Sequence, residues 1–174
     1  MPLSDPGPVP PPERWAPWAA LAARLVLGSV FVVAGALKLP DPAGSVRAVR
    51  AYQLLPEAVV PAVGYGLPVL EVAVGLMLVL GVAVRLSAVV SAVLLVIFLA
   101  GVVSAWARGL TIDCGCFGGG GTVAAGQTRY GSEVARDVGL LVLALGLARW
   151  PDSALALSPH TRPTEEDHAY AEHT

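Results

Sequence analysis

Charge is what this chain has least of. Only 14% of its 174 residues are Asp, Glu, Lys or Arg, against about a quarter in an ordinary soluble domain. The shortage is concentrated in long blocks that carry almost no charge, which argues against a water-soluble globule. Basic clusters are also missing and the net charge is −2, which argues against nucleic acid as a partner. Alternating apolar and polar segments of the outer-membrane barrel type are absent. Histidine is scarce: His160, His168 and His173 stand in the C-terminal tail at irregular spacing, and a solvated tail accounts for them better than metal binding does.

Apolar residues make up 55% of the chain, with a mean hydropathy of +0.68. A hydrocarbon core roughly 30 Å thick is crossed by about 20 apolar helical residues. Four segments meet or approach that length, Trp15–Leu37, Val59–Leu80, Val82–Trp106 and Val134–Trp150. Backbone polar groups in lipid must be satisfied within the segment, so each is expected to be helical. The expected fold is therefore all-α, an integral membrane four-helix bundle over residues 15–150. The last segment is the weakest, because Arg136 and Asp137 stand near its start. Ala34-Gly35-Ala36 resembles a signal-peptide cleavage site. The block before it is long, contains Arg24 and follows a Pro-rich start, so a retained anchor is the expectation.

Outside the bundle, residues 1–14 carry Pro2, Pro6, Pro8, Pro10, Pro11 and Pro12, a composition that favours extended or disordered chain. The tail over residues 151–174, with Glu165, Glu166 and Asp167 together, is read as disordered and acidic. The first apolar segment ends at Lys38-Leu39-Pro40, where proline stops a helix and lysine is expected to snorkel to the interface. Within Ser45–Leu55, Val46, Val49 and Tyr52 recur at helical spacing beside Arg47 and Arg50, the pattern of a short helix lying on a membrane surface. Glycines spaced to share a helix face (Gly28 with Gly35, Gly139 with Gly146, and Gly75 in the second segment) are expected to allow close helix contact.

Two ionisable residues fall inside the expected spans. Arg24 in the first segment and Glu71 in the second each lie roughly 13 Å below the same membrane face if helix ends are aligned. They are expected to form a buried pair, either as a clamp between helices or as part of a polar site for a proton or a head group.

Both cysteines fall in the block Asp113-Cys114-Gly115-Cys116-Phe117-Gly118, just after the third apolar segment. An even number of spans puts this block on the same side as Lys38, Arg47, Arg50, Arg108, Arg129 and Arg136. Nearby cations favour thiolate, the reactive form, while Asp113 opposes it. A bridge across the single residue Gly115 would close a very small ring, and exposed strained bridges behave as labile redox centres. Structural bridges stabilise by closing long loops, so a structural role explains this spacing poorly. A zinc site would need two more ligands, which a second copy of the chain would have to supply. Redox chemistry at Cys114 and Cys116 is the expectation, with metal binding and incidental thiols as competitors.

These residues resemble those of the MauE branch of the MauE/DoxX redox-associated membrane proteins over roughly residues 20–150. The resemblance is carried by Arg24, Gly28, Phe31, Gly35 and Lys38, then Tyr52, Leu54, Leu55 and Pro56, then Pro68, Glu71, Gly75 and Leu76. It continues in Gly109, the Asp113–Gly118 block and Arg136-Asp137. It implies a DoxX-like bundle in the bacterial cytoplasmic membrane and an accessory role in methylamine utilisation, assisting maturation of the disulfide-rich small subunit of methylamine dehydrogenase. The expectation is then a multi-pass thiol–disulfide oxidoreductase component. Cys114 and Cys116 would exchange electrons with a thioredoxin-like or exported disulfide-containing partner, the pair facing outward. No resident cofactor is called for, although a membrane quinone lodged near Arg24 and Glu71 would serve as a second redox partner. The competing expectation is a non-catalytic scaffold that docks a partner redox enzyme.

Overall fold

The computed structural model describes residues 16–113, 115, 120–124 and 128–151. The Pro-rich start, the acidic tail, Cys114, Cys116 and the first two residues of the glycine run, Gly118 and Gly119, lie outside the described residues. The chain order is α1 (Ala16–Lys38), α2 (Pro42–Ala51), α3 (Val60–Leu80), α4 (Val84–Ala107), β1 (Ile112–Asp113), β2 (Gly121–Thr122) and α5 (Tyr130–Arg149). This is an all-α membrane protein. Helices α1, α3 and α4 are each long and apolar enough to cross a membrane. Their outward residues, among them Val33, Val69, Leu86, Ile97 and Trp106, are large, apolar and exposed, as lipid-facing surfaces are. Helix α5 carries Glu133, Arg136, Asp137 and Arg149 and is less apolar, yet it packs along α4 as the fourth helix of the bundle.

Local chemistry sets the breaks. Pro42 opens α2 and the Asp41 carboxylate caps it, Oδ1 accepting from the Gly44 N–H at 2.8 Å, the usual arrangement at a helix start. At the other end of the bundle α3 closes on Gly81 in the left-handed region (φ 73°). The Val82 N–H then returns to the Met77 carbonyl at 2.9 Å, a Schellman-type stop that reverses the chain directly into α4.

The core lies between the four long helices and contains Leu27, Phe31, Leu78, Leu95, Leu140 and Ala144. Helix α1 packs most extensively on α3, and α4 on α5. Glycine sets the first of these contacts. A Cβ on Gly28 would come within 2.9 Å of the Gly75 carbonyl oxygen, one on Gly35 within 2.6 Å of the Pro68 carbonyl oxygen, and one on Gly75 within 2.7 Å of the Gly28 carbonyl oxygen. The backbones therefore touch at all three positions, as the spacing led one to expect. Gly139 and Gly146 differ: an added Cβ there meets nothing within 4 Å among the described residues, so they make no close helix contact there.

Helix α2 is more than a surface helix. Gly44, Ser45, Val46 and Ala48 are buried. A Cβ on Gly64 would strike the Val46 backbone at 2.7 Å, and one on Gly120 would strike the Ala48 Cβ at 2.5 Å. The helix thus lies between the start of α3 and the β-hairpin, closing one end of the bundle.

Candidate functional site

At that closed end, β1 and β2 pair antiparallel, with Ile112 opposite Thr122 and Asp113 opposite Gly121. This two-residue ladder is the stem of a loop that contains both cysteines. The stem is fastened to the bundle through Tyr130, the first residue of α5. Its hydroxyl donates to the Leu110 carbonyl at 2.6 Å and accepts from the Ile112 N–H at 3.3 Å. The Tyr130 ring stacks with Trp106 at 6.1 Å between centroids. Val102, Ala105 and Ile112 bury the same patch. Gly115, bonded to both cysteines, is buried and has φ +68°, a conformation glycine adopts without strain. The Gly115 N–H points to Asp113 Oδ1 at 3.5 Å, a long contact typical of a loosely held Asx turn.

Several of the cations expected around the thiols have partners among the described residues. Arg108 Nη2 donates to the Tyr52 carbonyl and its Nε to the Ser104 carbonyl at 3.2 Å, which ties the end of α4 to the end of α2. Arg50 pairs with Glu57 across the following turn, Nε to Oε1 at 2.9 Å. The hydrogen bond from Arg50 holds the Glu57 carboxyl below its ordinary value, and the same bond raises Arg50. This exposed pair persists into mildly acidic solution and is lost as pH falls through the lowered Glu57 value.

Lys38 overturns one expectation, for it does not snorkel outward. Its Nζ contacts Glu71 Oε1 at 2.7 Å and Oε2 at 2.8 Å, and its side chain is only 10% exposed. Side chains on a helix lean back toward its N-terminus. A lysine at the C-terminal end of α1 is therefore aimed into the bundle, where it also lies 5.9 Å from the centre of the Phe98 ring.

The expected Arg24–Glu71 pairing is accordingly corrected, since Lys38 occupies both Glu71 oxygens. The reason is register. Gly28 faces Gly75 to Val79, and Gly35 faces Pro68 to Val72. By that alignment Arg24 lies level with Gly81 and Glu71 level with Ala34, ten residues apart on α1, roughly 15 Å along the axis. Arg24 is buried, but at the opposite end of the bundle from the hairpin. Aligning helix ends was the wrong assumption, because α1 overhangs α3.

Glu71 instead shares a cleft with residues of α5. The cleft is lined by Phe31 and Ala34 of α1, Glu71 of α3, Leu95 and Phe98 of α4, and Arg136, Asp137 and Leu140 of α5. Arg136 folds onto its neighbour, Nε to Asp137 Oδ1 at 2.9 Å. Glu133, one turn before Asp137, is buried as well. In the sequence, Asp137 stands out as a disturbance of the fourth segment and as part of the family resemblance, whereas Glu133 does not stand out. Their four-residue spacing, which puts two acids on one face of an otherwise apolar helix, was the available signal. Among the described residues no group of three or more His, Cys, Asp and Glu side chains is placed to hold a metal ion.

Comparison with known proteins agrees with the sequence resemblance. The family model described as "Methylamine utilisation protein MauE" matches residues 16–149. The "Methylamine utilization protein MauE" of Paracoccus denitrificans is 34% identical over 143 residues, covering 82% of this chain and 75% of the relative. None of the solved structures gives a significant match. The matched region contains all four long helices, the capping helix and the cysteine-bearing hairpin, and on this ground the chain belongs to the MauE family.

Proposed function

We propose that this protein is a membrane thiol–disulfide component of methylamine utilisation that works through Cys114 and Cys116. In one direction, a thiolate of the pair attacks a disulfide of a thioredoxin-like partner. The partner's S–S bond breaks and a mixed disulfide forms. The second thiolate then displaces the partner as a dithiol, leaving the pair oxidised by two electrons. The opposite direction uses the same steps reversed. The observation that carries this reading is the placement of two thiols, one residue apart, on a loop whose stem is clamped to the bundle by Tyr130 and by the Gly120–Ala48 contact. A fixed stem presents the sulfur pair to a partner at the membrane surface. The central cleft has ≈ 30 Å³ of room for water centres, space for about two waters.

In this reading the protein sits in the cytoplasmic membrane of a bacterium with the cysteine loop outward, toward an exported client. The test is replacement of each cysteine by serine in cells that depend on the protein. Either Cys114→Ser or Cys116→Ser should abolish maturation of the dependent enzyme at unchanged membrane abundance. One of the two should also accumulate a mixed disulfide with its partner, visible on non-reducing gels. Full activity of the double serine variant would leave only the scaffold role.

A further inference from the structure

Among the described residues, buried carboxylates outnumber the cations beside them in the hairpin half of the bundle, Arg24 being buried at the other end. Glu71 and Asp137 are 2% and 3% exposed, and Glu133 is 8% exposed. The cations facing them are Lys38 from α1 and Arg136 from α5. From α4 the cleft receives only Leu95 and Phe98. In that half, three buried acids stand against two cations among the described residues, and a buried carboxyl without a compensating charge takes up a proton. Two oxygens make the same point separately: Asp137 Oδ2 and Glu133 Oε2 are buried without a hydrogen-bond partner. An orphaned oxygen of this kind requires a proton or a water. The cleft beside Asp137 supplies the space, with ≈ 30 Å³ for water centres where one water needs about 10–15 Å³. Its polar lining from Glu71, Asp137 and Arg136 gives such waters the partners they need.

We propose that this cleft is a hydrated proton site, in which Glu71 and Asp137 share one proton through bound water. Glu133 links the site to the hairpin end of the bundle. The four-residue step from Glu133 to Asp137 keeps both on one face of α5, one turn apart. A proton passes from the Glu133 carboxyl to Asp137 and through water to Glu71. At each step the O–H bond of the donor breaks as that of the acceptor forms, and no electrons move. Lys38 and Arg136 remain charged throughout and hold the two carboxylates in place. This site goes beyond the thiol chemistry and needs neither cysteine.

The test is infrared spectroscopy of the full chain in phosphatidylcholine nanodiscs. The wild type should show the carbonyl stretch of a single protonated carboxyl at neutral pH, and D2O should shift it to lower frequency. Glu71→Gln or Asp137→Asn should remove or displace that band. Glu133→Gln should keep it but slow its D2O shift about a hundredfold, the lower range of what a positioned proton carrier contributes. If an amide variant fails to fold, Asp137→Glu retains the acid, and the band should change frequency. A wild type without the band, a band indifferent to D2O, or one unmoved by substitution at both Glu71 and Asp137 would overturn the proposal.

Discussion

At the scale of single residues, the Lys38–Glu71 pair is the strongest structural commitment inside the bundle. Both Glu71 oxygens face one ammonium group, and both side chains are largely shut off from bulk solvent. Removing one member of such a pair strands the other charge, at a cost of about 3–5 kcal/mol. Lys38→Met should therefore lower stability by about that much, measured by reversible unfolding in mixed micelles. The double variant Lys38→Met/Glu71→Gln should recover most of the loss. Additive losses would show that the two groups are not coupled. That pair was only half legible in the sequence. Glu71 stood out as a charge in an apolar run, but Lys38 beside Pro40 has the look of an interfacial anchor. What decides its direction is the backward tilt of helical side chains, which a search for charge at the membrane boundary does not register. Arg24 was misplaced for a related reason: depth counted from helix ends ignores how far one helix overhangs another.

At the scale of elements, the same glycine spacing produces opposite outcomes in α1 and α5. Gly28 and Gly35 press against the α3 backbone, whereas Gly139 and Gly146 have open space at the Cβ position. Gly35→Val should thus force α1 and α3 apart, at about 1–3 kcal/mol for overpacking. Gly146→Ala should leave stability unchanged or raise it by about 0.5–1 kcal/mol through reduced backbone freedom in the unfolded state. Parallel unfolding curves for the two variants check the contrast, and equal losses would contradict it. Spacing identifies a shared face but not what lies opposite it, so this distinction was beyond the sequence. Helices α1, α3 and α4 were readable within a few residues because their apolarity is continuous. The fourth helix begins at Tyr130, ahead of its apolar run, since Glu133, Arg136 and Asp137 are accommodated inside the bundle. Apolar length alone could not have found that start. The surface helix was readable from its amphipathic pattern, while its second role, supporting the hairpin through Ala48, depends on a contact from Gly120 more than seventy residues later in the chain.

At the scale of the whole molecule, the position of cations bears on how the bundle is inserted. By sequence the hairpin end carries Lys38, Arg47, Arg50, Arg108, Arg129 and Arg136, and the opposite end carries Arg14, Arg85, Arg149 and Arg162. Counted that way, the positive-inside tendency places the cysteine loop in the cytoplasm. The structure withdraws two members of the first group. Lys38 is turned into the bundle onto Glu71, and Arg136 folds onto Asp137 beside the cleft. The cations left exposed at the hairpin end are Arg47, Arg50, Arg108 and Arg129, matching the other end in number. Two of these are further offset by surface acids, Arg47 by Asp41 and Arg50 by Glu57, though acids influence insertion weakly. Charge therefore no longer opposes an outward cysteine loop, the orientation that thiol exchange with an exported partner requires. A membrane-impermeant maleimide applied to intact cells should label Cys114 and Cys116 after mild reduction, to the same extent as in permeabilised cells. Labelling that appears only after permeabilisation would place the sulfur pair in the cytoplasm and would demand a cytoplasmic partner.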